Sequence, residues 1–350
     1  MTAMDQLKKR FKLTGGHDIQ WFLGVEIVRD RAIRKMWLSQ QSYISKISVL
    51  ASQVPFKAPK SPMAPEELFP ATDPATRDSI RLYQRKVGSI LYAAIITRPD
   101  IAFACSRLSR HNMNPDATHH AAADRVLNYL RGTMTWGLEL GGGNNLQIYS
   151  DASFADNKND RRSSQGFVIR LFRGTVDWRA NKQATVTTSS TEAELLAISQ
   201  AAKEAMFTDR LIRELGVNTD DGVLTIQCDN QQTIRLLMSS QFKLKTALRH
   251  VDIYNHWLRE QVQQRNIRVQ YLPTKEMAAD GLTKALPNEP FDQFRRQIGV
   301  VNIGRRLSKL NDALVDTSEV EDLLFDVRTM TINDNDNDEL VFQTAPRGAI

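Results

Sequence analysis

Four acidic residues in the middle of the chain have types and positions that suit chemistry. They are Asp151 at the end of the strand-like run LQIYS, Glu194 in the first turn of a long helical segment, Asp229 at the end of LTIQCD, and Asp280 in AAD. Aspartate is depleted in strands, so a carboxylate at a strand end either starts a turn or serves a site. Strand ends and helix starts can meet at one sheet edge, where four carboxylates repel one another unless divalent cations neutralise them. Such oxygen ligands suit Mg²⁺ or Mn²⁺, and two ions of this kind can activate water for phosphodiester cleavage.

Two glutamates compete for the position on the long helix. Glu192 fits a capping box with Ser189, and Glu194 could form the same motif with Thr191. Only one of the two acids need cap the helix. Because Glu194 directly precedes the apolar run LLAI, we predict Glu194 as the metal ligand and Glu192 as the cap.

The other acids also have simpler interpretations. Asp229, which is followed by Asn230, could be a plain helix N-cap. Asp280 lies in a short predicted helix, where one acid is common. The pattern alone leaves these alternatives open.

The elements that must position the acids lie between residues 144 and 300. Apolar runs predict the order β, β, β, α, β, α, α, β, α, with strands at LQIYSDA, SQGFVIRLF, TVDWRA, LTIQCD and IRVQYL. In the long helix SSTEAELLAISQAAKEAMFTDRLIREL, Leu195, Ile198, Ala202 and Met206 recur at helical spacing. The remaining helices are predicted at NQQTIRLLMSS, HVDIYNHWLREQVQQR and EMAADGLTKAL. This order implies an α/β fold with a mixed five-stranded sheet and helices on its faces.

Two further parts flank this domain. Residues 1–143 contain the strand-like runs WFLGVEIVR and KMWLSQ, a proline-rich connector predicted as a linker or extended loop, and two helical patterns before the glycines at 141–143. Residues 301–350 are rich in Asn and Asp and are predicted to be a mostly disordered acidic tail. We therefore expect a smaller N-terminal region, a domain at 144–300 and a tail.

Composition and charge narrow the class of partner. The net charge is +6, but residues 318–350 hold eight acids against two arginines, so the first 317 residues carry +12. A basic body favours a polyanion such as nucleic acid, although a solvated basic surface explains the charge equally well. The two cysteines make no disulfide framework, and no apolar run is long enough to span a membrane.

Several motifs in one order carry a family resemblance. The runs YSDASFAD, TSSTEAELLAIS, QCDNQQTI, RHVDIYNHWLREQV and YLPTKEMAADGLTKAL resemble the ribonuclease H domain of copia-type retrotransposon polyproteins. Upstream, LKKRFKL, QWFLGVEIVRD, LSQQSYISKI, VGSILYAAIITRPDIAFACSRLSR and RVLNYLRGT resemble the end of the reverse transcriptase and its connection region. The resemblance covers residues 5 to about 300. It implies a ribonuclease H-like sheet preceded by a thumb- or connection-like region.

The resemblance also implies a site and partners. It groups Asp151, Glu194, Asp229 and Asp280 as ligands of two Mg²⁺ ions, with Mn²⁺ as an alternative and Asp151 touching both. The implied reaction is hydrolysis of the RNA strand of RNA–DNA hybrids. The implied partners are such hybrids and the palm and fingers of the upstream polymerase, with no membrane. The implied location is the cytoplasmic particle of a retrotransposon, with the nucleus as an alternative.

Two departures from related enzymes qualify these expectations. The chain has no Tyr-x-Asp-Asp hairpin, and its only Asp-Asp pair, Asp220–Asp221, lacks flanking strands, so we expect no polymerase activity from this chain alone. The short segment YLPTKEMAAD also lacks the loop histidine that other ribonucleases H carry before their last aspartate. A catalytically silent remnant that folds and binds nucleic acid is therefore the alternative function. An integrase-like transposase is disfavoured because it expects two aspartates followed by a glutamate.

Candidate substrate contacts follow from the chemistry of a hybrid duplex, which offers phosphates and 2′-hydroxyls. Basic and hydroxyl or amide side chains near the acids are predicted to contact it, with an ordinary surface role as the alternative for each. They are Arg161, Arg162, Ser163, Lys182, Ser190 and Asn230, with Ser164, Gln183, Ser189, Lys243, Lys245 and Arg249 in the same loops. His250 is part of the family signature RHVDI, and helix-end packing, substrate contact and metal ligation all remain open for it.

Overall fold

The computed structural model describes residues 19–52, 58–219, 222–239 and 249–315. Within this part of the chain the strands are β1 (Trp21–Phe22), β2 (Val25–Asp30), β3 (Lys35–Ser39), β4 (Trp136–Gly141), β5 (Leu146–Ser153), β6 (Ser164–Leu171), β7 (Gly174–Lys182), β8 (Leu224–Cys228), β9 (Ile267–Tyr271) and β10 (Val300–Asn302). The helices are α1 (Gln41–Ile47), α2 (Arg77–Ile96), α3 (Ala102–Ser109), α4 (Ala117–Gly132), α5 (Ser190–Glu214), α6 (Gln231–Met238), α7 (Arg249–Gln263), α8 (Asn288–Gln297) and α9 (Gly304–Val315).

The predicted mixed sheet is present in residues 146–271. Its strand order is β7-β6-β5-β8-β9, with β5, β6 and β7 antiparallel and with β8 and β9 parallel to β5. The parallel step from β5 to β8 needs a crossover connection, which includes helix α5. The prediction of a mixed five-stranded sheet is confirmed. The strands that carry Asp151 and lead into Asp229 are neighbours.

A second, antiparallel sheet has the order β1-β2-β3-β4-β10. Its last strand, β10, pairs with β4, so the residues around 300 return to the N-terminal region. The tail predicted from residue 301 therefore opens with part of a strand and with helix α9. The rest of the predicted tail, residues 316–350, lies outside the described residues.

Helix α5 shows how local sequence sets the position of an element. The Ser189 side chain accepts a hydrogen bond from the Glu192 amide at 3.2 Å, which satisfies one free N–H at the start of the helix. Leu195, Ile198 and Ala202 then recur on one face and are buried in the core beneath the mixed sheet. The cap fixes where the helix begins and the apolar face fixes its rotation, so both decide which acids face the sheet edge.

The mixed sheet is buried on both faces. Because successive strand residues point to opposite sides, Ile148 and Phe167 pack in the core with α5, whereas Tyr149 and Val168 join the core of the N-terminal helices. Among the described residues, those up to 304 form one compact unit and those from 305 form the other. The proposed boundary at 143 falls between β4 and β5, but β10 returns to the sheet of β4 and the two regions share one core.

Trp178 on β7 ties the two regions together. Its indole N–H donates a hydrogen bond to the carbonyl oxygen of Ala94 in α2 at 2.8 Å. The proline-rich connector, described from residue 58, is also packed: Met63 is buried, and Glu67 pairs with Arg107 at 2.9 Å. The described part of the connector is thus a loop held against the body of the protein.

A buried ion pair lies in the N-terminal region. The Arg98 guanidinium donates to both carboxylate oxygens of Asp100 at 2.9 and 2.8 Å, and both side chains are fully buried. The Tyr129 hydroxyl donates to Asp100 at 2.7 Å, and Arg98 also donates to the Thr133 hydroxyl. These contacts satisfy the pair, and removal of one partner would leave an uncompensated buried charge.

No helix in the described part of the chain is long and apolar enough to cross a membrane. Cys105 and Cys228 are both buried and neither forms a disulfide.

Candidate active site

Asp151 lies near the end of β5 and is buried, with only 4% of its surface exposed. It stands opposite Gly166 in β6. A Cβ atom at Gly166 would come within 2.7 Å of Leu282 Cβ, so the glycine lets the turn at 280–283 lie against these strands. That approach brings the Thr283 hydroxyl into a hydrogen bond with Asp151 Oδ2.

Glu194 and Glu192 point to different partners. Glu192 Oε2 accepts hydrogen bonds from the Thr188 amide at 2.7 Å and from the Thr188 hydroxyl at 2.9 Å. Glu192 therefore holds the loop before α5. Glu194, two residues later, is buried at 4% exposure beside Asp151 and Asp229.

Asp229 immediately follows β8. The N-cap of α6 is Asn230, whose side chain accepts from the Thr233 amide at 3.0 Å. Asp229 is thus not needed as a cap, and its Oδ2 accepts from the Thr274 hydroxyl at 2.8 Å.

Three of the four predicted acids meet at one point. Asp151, Glu194 and Asp229 each offer one carboxylate oxygen, and these oxygens lie within 4.8 Å of one another. Asp280 stands beside this group but is paired with the Lys284 ammonium, four residues along the chain. The predicted helix EMAADGLTKAL is wrong: the segment forms two short 3-10 turns, Thr274–Glu276 and Asp280–Leu282. Met277, Ala278 and Ala279 between them are buried in the shared core, and their packing overrides the helical pattern.

The electrostatics of the group follow from burial and from like charge. Burial raises the pKa of Glu194 well above its ordinary value, and the carboxylates of Asp151 and Asp229 add to the rise. Burial, together with Asp280 and Asp229, raises the pKa of Asp151 to about 6, against the Thr283 hydrogen bond, which lowers it. The pKa of Asp280 is also raised, mainly by burial, although Lys284 opposes the rise.

The three grouped acids fit a divalent cation. Glu194 Oε2 is buried and has no hydrogen-bond partner among the described residues. A buried charged oxygen without a partner is costly, and a hard cation would satisfy it. The same cation would offset the repulsion that raises the carboxylate pKa values. The donor set of three carboxylates is the one that Mg²⁺ and Mn²⁺ prefer.

The predicted substrate contacts divide into side chains that are at least partly exposed and side chains that are occupied inside the protein. Two of the partly exposed ones, Lys182 and Arg162, lie close to Asp160. Asp160 accepts a hydrogen bond from Lys182 Nζ at 2.7 Å and lies 3.7 Å from Arg162, so it partly neutralises both cations. Arg161 is exposed, in a left-handed backbone conformation at φ 55°. Ser190 is exposed at the start of α5.

Other predicted contacts are occupied inside the protein. Ser163 is fully buried, accepts a hydrogen bond from the Ala155 amide and bonds the Thr187 hydroxyl, so it does not face a ligand. Ser189 caps α5 and Asn230 caps α6. Lys243 and Lys245, and the side chains of Arg249 and His250, lie outside the described residues.

Two residues of the site were missed by the sequence reasoning. Thr283 and Lys284 follow Asp280 by three and four positions, a spacing that places side chains on one side of a helical turn. The sequence DGLTK thus indicated that Thr283 and Lys284 could both contact Asp280. The pairing of Thr283 with Asp151, 132 residues away, has no such local signal.

Comparison with known proteins shows what the chain is similar to. Residues 150–273 match a family described as reverse transcriptase-like. The chain is 34% identical over 301 residues to the retrovirus-related Pol polyprotein from transposon TNT 1-94 of Nicotiana tabacum, a match that covers 84% of this chain and 22% of that protein. It is also 45% identical over 127 residues to secreted RxLR effector protein 161 of Plasmopara viticola, covering 36% of this chain and 89% of that one. The solved structure of LC11-RNase H1 aligns over 43% of this chain and 97% of its own, with 21% identity and a TM-score of 0.31.

The strand order β7-β6-β5-β8-β9, with Asp151 near the end of β5 and Asp229 directly after the adjacent β8, is that of a ribonuclease H-like domain. The match over 84% of this chain supports a fragment of a retrotransposon Pol polyprotein. The chain spans 22% of the length of the tobacco polyprotein.

Proposed function

We propose that the chain hydrolyses the RNA strand of RNA–DNA hybrids with the help of divalent cations, as the ribonuclease H part of a Pol polyprotein. A fold by itself does not fix an activity, so the proposal rests on the site. The observation that carries it is the grouping of Asp151, Glu194 and Asp229 around a point where Glu194 Oε2 has no protein partner. Burial and the neighbouring carboxylates raise the pKa of Asp151 and of Glu194, which is unfavourable for stability and suggests a functional role.

Asp151, Glu194 and Asp229 would hold Mg²⁺ or Mn²⁺, with Asp280 as the fourth ligand of a two-ion site. When bound, such ions activate water and stabilise the leaving oxygen in phosphodiester cleavage, which would leave a 5′-phosphate and a 3′-hydroxyl. Thr283 holds the Asp151 carboxylate in place through its hydroxyl.

The substrate class follows from charge and family. The basic body, +12 over residues 1–317, suits a duplex with a dense row of phosphates. Arg161 and Ser190 are the predicted contacts that the structure leaves exposed. In the intact polyprotein we expect the polymerase part as the neighbouring partner and the cytoplasmic particle as the location.

Cleavage of a labelled hybrid by the purified chain tests the proposal. We expect cutting of the RNA strand in Mg²⁺ or Mn²⁺, none in EDTA, and none of duplex DNA. Asp151→Asn should abolish cleavage but keep part of the hybrid binding, because phosphate contacts supply most of that free energy. Glu192→Gln is the matched control, since it removes an acid two residues from Glu194 that lies outside the group. Hybrid binding by the wild type without cleavage in either metal would support the catalytically silent remnant instead.

A further inference from the structure

Lys284 places a positive charge beside the acids of the site. Its ammonium contacts Asp280 Oδ1, while Asp280 stays outside the group formed by Asp151, Glu194 and Asp229. The same lysine also acts on the grouped acids, because its charge opposes the rise in the pKa values of Asp151 and Glu194. Lys284 is thus a cation of the chain itself. It is paired with Asp280, the carboxylate that is expected to bind a second metal ion.

The solvent exposure of the two partners differs. The Asp280 side chain is 14% exposed and the Lys284 side chain is 45% exposed. Between them, Thr283 is fully buried, and its hydroxyl oxygen lies 3.0 Å from the Asp280 carbonyl oxygen. The backbone of this turn is therefore held, and the flexible four-carbon stem of the lysine is the part that can withdraw.

The charge balance of the four carboxylates indicates when the Lys284 side chain moves away from Asp280. Four ionised carboxylates carry four negative charges, which two divalent ions neutralise without help from Lys284. With one divalent ion and Lys284 in place, one of the four negative charges remains without a counter-charge. Addition of a second ion makes it one charge positive, which a single substrate phosphate would balance. The lysine therefore opposes the second ion until a phosphate arrives.

We propose that Lys284 competes with the second divalent cation for Asp280, so that without nucleic acid the site holds one ion tightly and a second only weakly. The inference rests on the proposed function, since it assumes that the acids bind metal. It assigns to Lys284 control over binding of the second ion, a role that the proposed reaction does not require.

Mn²⁺ binding by the full chain without nucleic acid tests the competition, with free Mn²⁺ counted by its electron paramagnetic resonance signal. In the wild type we expect one tight ion per chain. In Lys284→Met the second ion should bind about tenfold more tightly, because a nearby opposing charge is removed. Lys284→Arg keeps the charge and should restore wild-type binding. Lys275→Met is the matched control, because Lys275 is an exposed lysine of the preceding turn. Thermal melts by circular dichroism verify that each variant is folded.

The outcomes separate the two proposals. Equal or weaker binding of the second ion in folded Lys284→Met overturns the competition, while loss of the first ion in Asp151→Asn would still support the metal site. If no chain, wild type included, binds Mn²⁺, the metal-dependent function fails and the competition fails with it.

Discussion

The Thr283 hydroxyl donates a hydrogen bond to Asp151 Oδ2 across 132 positions of the sequence. Its oxygen also lies 3.0 Å from the carbonyl oxygen of Asp280. One buried hydroxyl thus ties the turn that carries the fourth acid to the strand that carries the first. Because the hydrogen bond lowers the pKa of Asp151, it also favours the charged form that a metal needs.

Thr283→Val should shift the pH profile of cleavage to higher pH. Valine has nearly the same shape but no hydroxyl, so the pKa of Asp151 should rise above its value of about 6. The measurement is kcat/KM against pH in fixed Mg²⁺. Thr135→Val, at a partly exposed threonine that contacts Asn302, is the control and should leave the profile unchanged. An unshifted profile for Thr283→Val would show that the hydroxyl does not set the charge of Asp151.

The stability of the metal-free protein should fall as pH rises from about 4 to above 6. The pKa of Asp151 is raised in the folded state, so the protonated form stabilises the fold at low pH, and this contribution is lost as the acid ionises. The loss should be on the order of 3 kcal/mol, since the pKa rises from 3.8 to about 6 and each pKa unit corresponds to about 1.4 kcal/mol. Melting curves in EDTA and in Mn²⁺ measure it: Mn²⁺ should raise Tm more at pH 8 than at pH 5. Asp151→Asn should flatten the EDTA profile, and a profile unchanged by that substitution would count against the prediction.

Gly166→Ala should damage the site more than the fold. The added methyl group would lie 2.7 Å from Leu282 Cβ and 3.1 Å from the Arg179 carbonyl oxygen, which pushes the turn at 280–283 away from β5. We expect a loss of about 1–3 kcal/mol in the free energy of unfolding and a larger proportional loss of cleavage. Gly88→Ala is the control, because a Cβ at this position in α2 meets nothing within 4 Å. That variant should be neutral or more stable by about 0.5–1 kcal/mol.

Asp160→Asn should strengthen hybrid binding. The substitution removes the carboxylate that pairs with Lys182 and Arg162 and so frees two cations for phosphates. Binding measured over a series of salt concentrations should become tighter at low salt and fall more steeply with salt. Asp209→Asn, which frees Arg213 on α5, provides a comparison with the same change in charge. Weaker binding by Asp160→Asn would show that Asp160 orders its loop for the substrate.

Asp100→Ala should destabilise the whole compact unit by about 3–5 kcal/mol, since it leaves the buried Arg98 charge without its partner. Denaturant unfolding followed by circular dichroism measures the loss. Asp292→Ala removes a carboxylate that is 45% exposed and paired with Arg295 and Arg296, so its cost should stay below about 1 kcal/mol. Similar losses for both variants would contradict the assignment of the first pair as a buried anchor.

Regular periodicity made the mixed sheet and α5 predictable from sequence. The apolar spacing through Leu195, Ile198 and Ala202 and the cap at Ser189 set the helix start within the predicted segment. The strands LQIYSDA and LTIQCD were also recognisable from local composition, and the order of strand-like and helical runs predicted the mixed sheet in which they are neighbours. These features depend on neighbours close in sequence or on a known topology.

Other features depend on distant contacts and could not be predicted. The local pattern around Asp280 predicted a helix. The segment forms turns instead, because burial of Met277, Ala278 and Ala279 overrides that pattern. Asp280 was expected among the other acids, but its pairing with Lys284 depends on side-chain geometry that spacing only suggests. The return of β10 to pair with β4 links residues more than 150 positions apart, and no local pattern marks it.

The core shared across residue 143 has a consequence for how a polyprotein can be processed. Tyr149 and Val168 pack with the N-terminal helices, and β10 completes a sheet that begins before residue 30. A protease that cut at the glycines 141–143 would leave both products joined by this core. Forced separation would uncover the apolar face of the mixed sheet. The ribonuclease H-like domain and the region before it are therefore expected to stay together after such a cut.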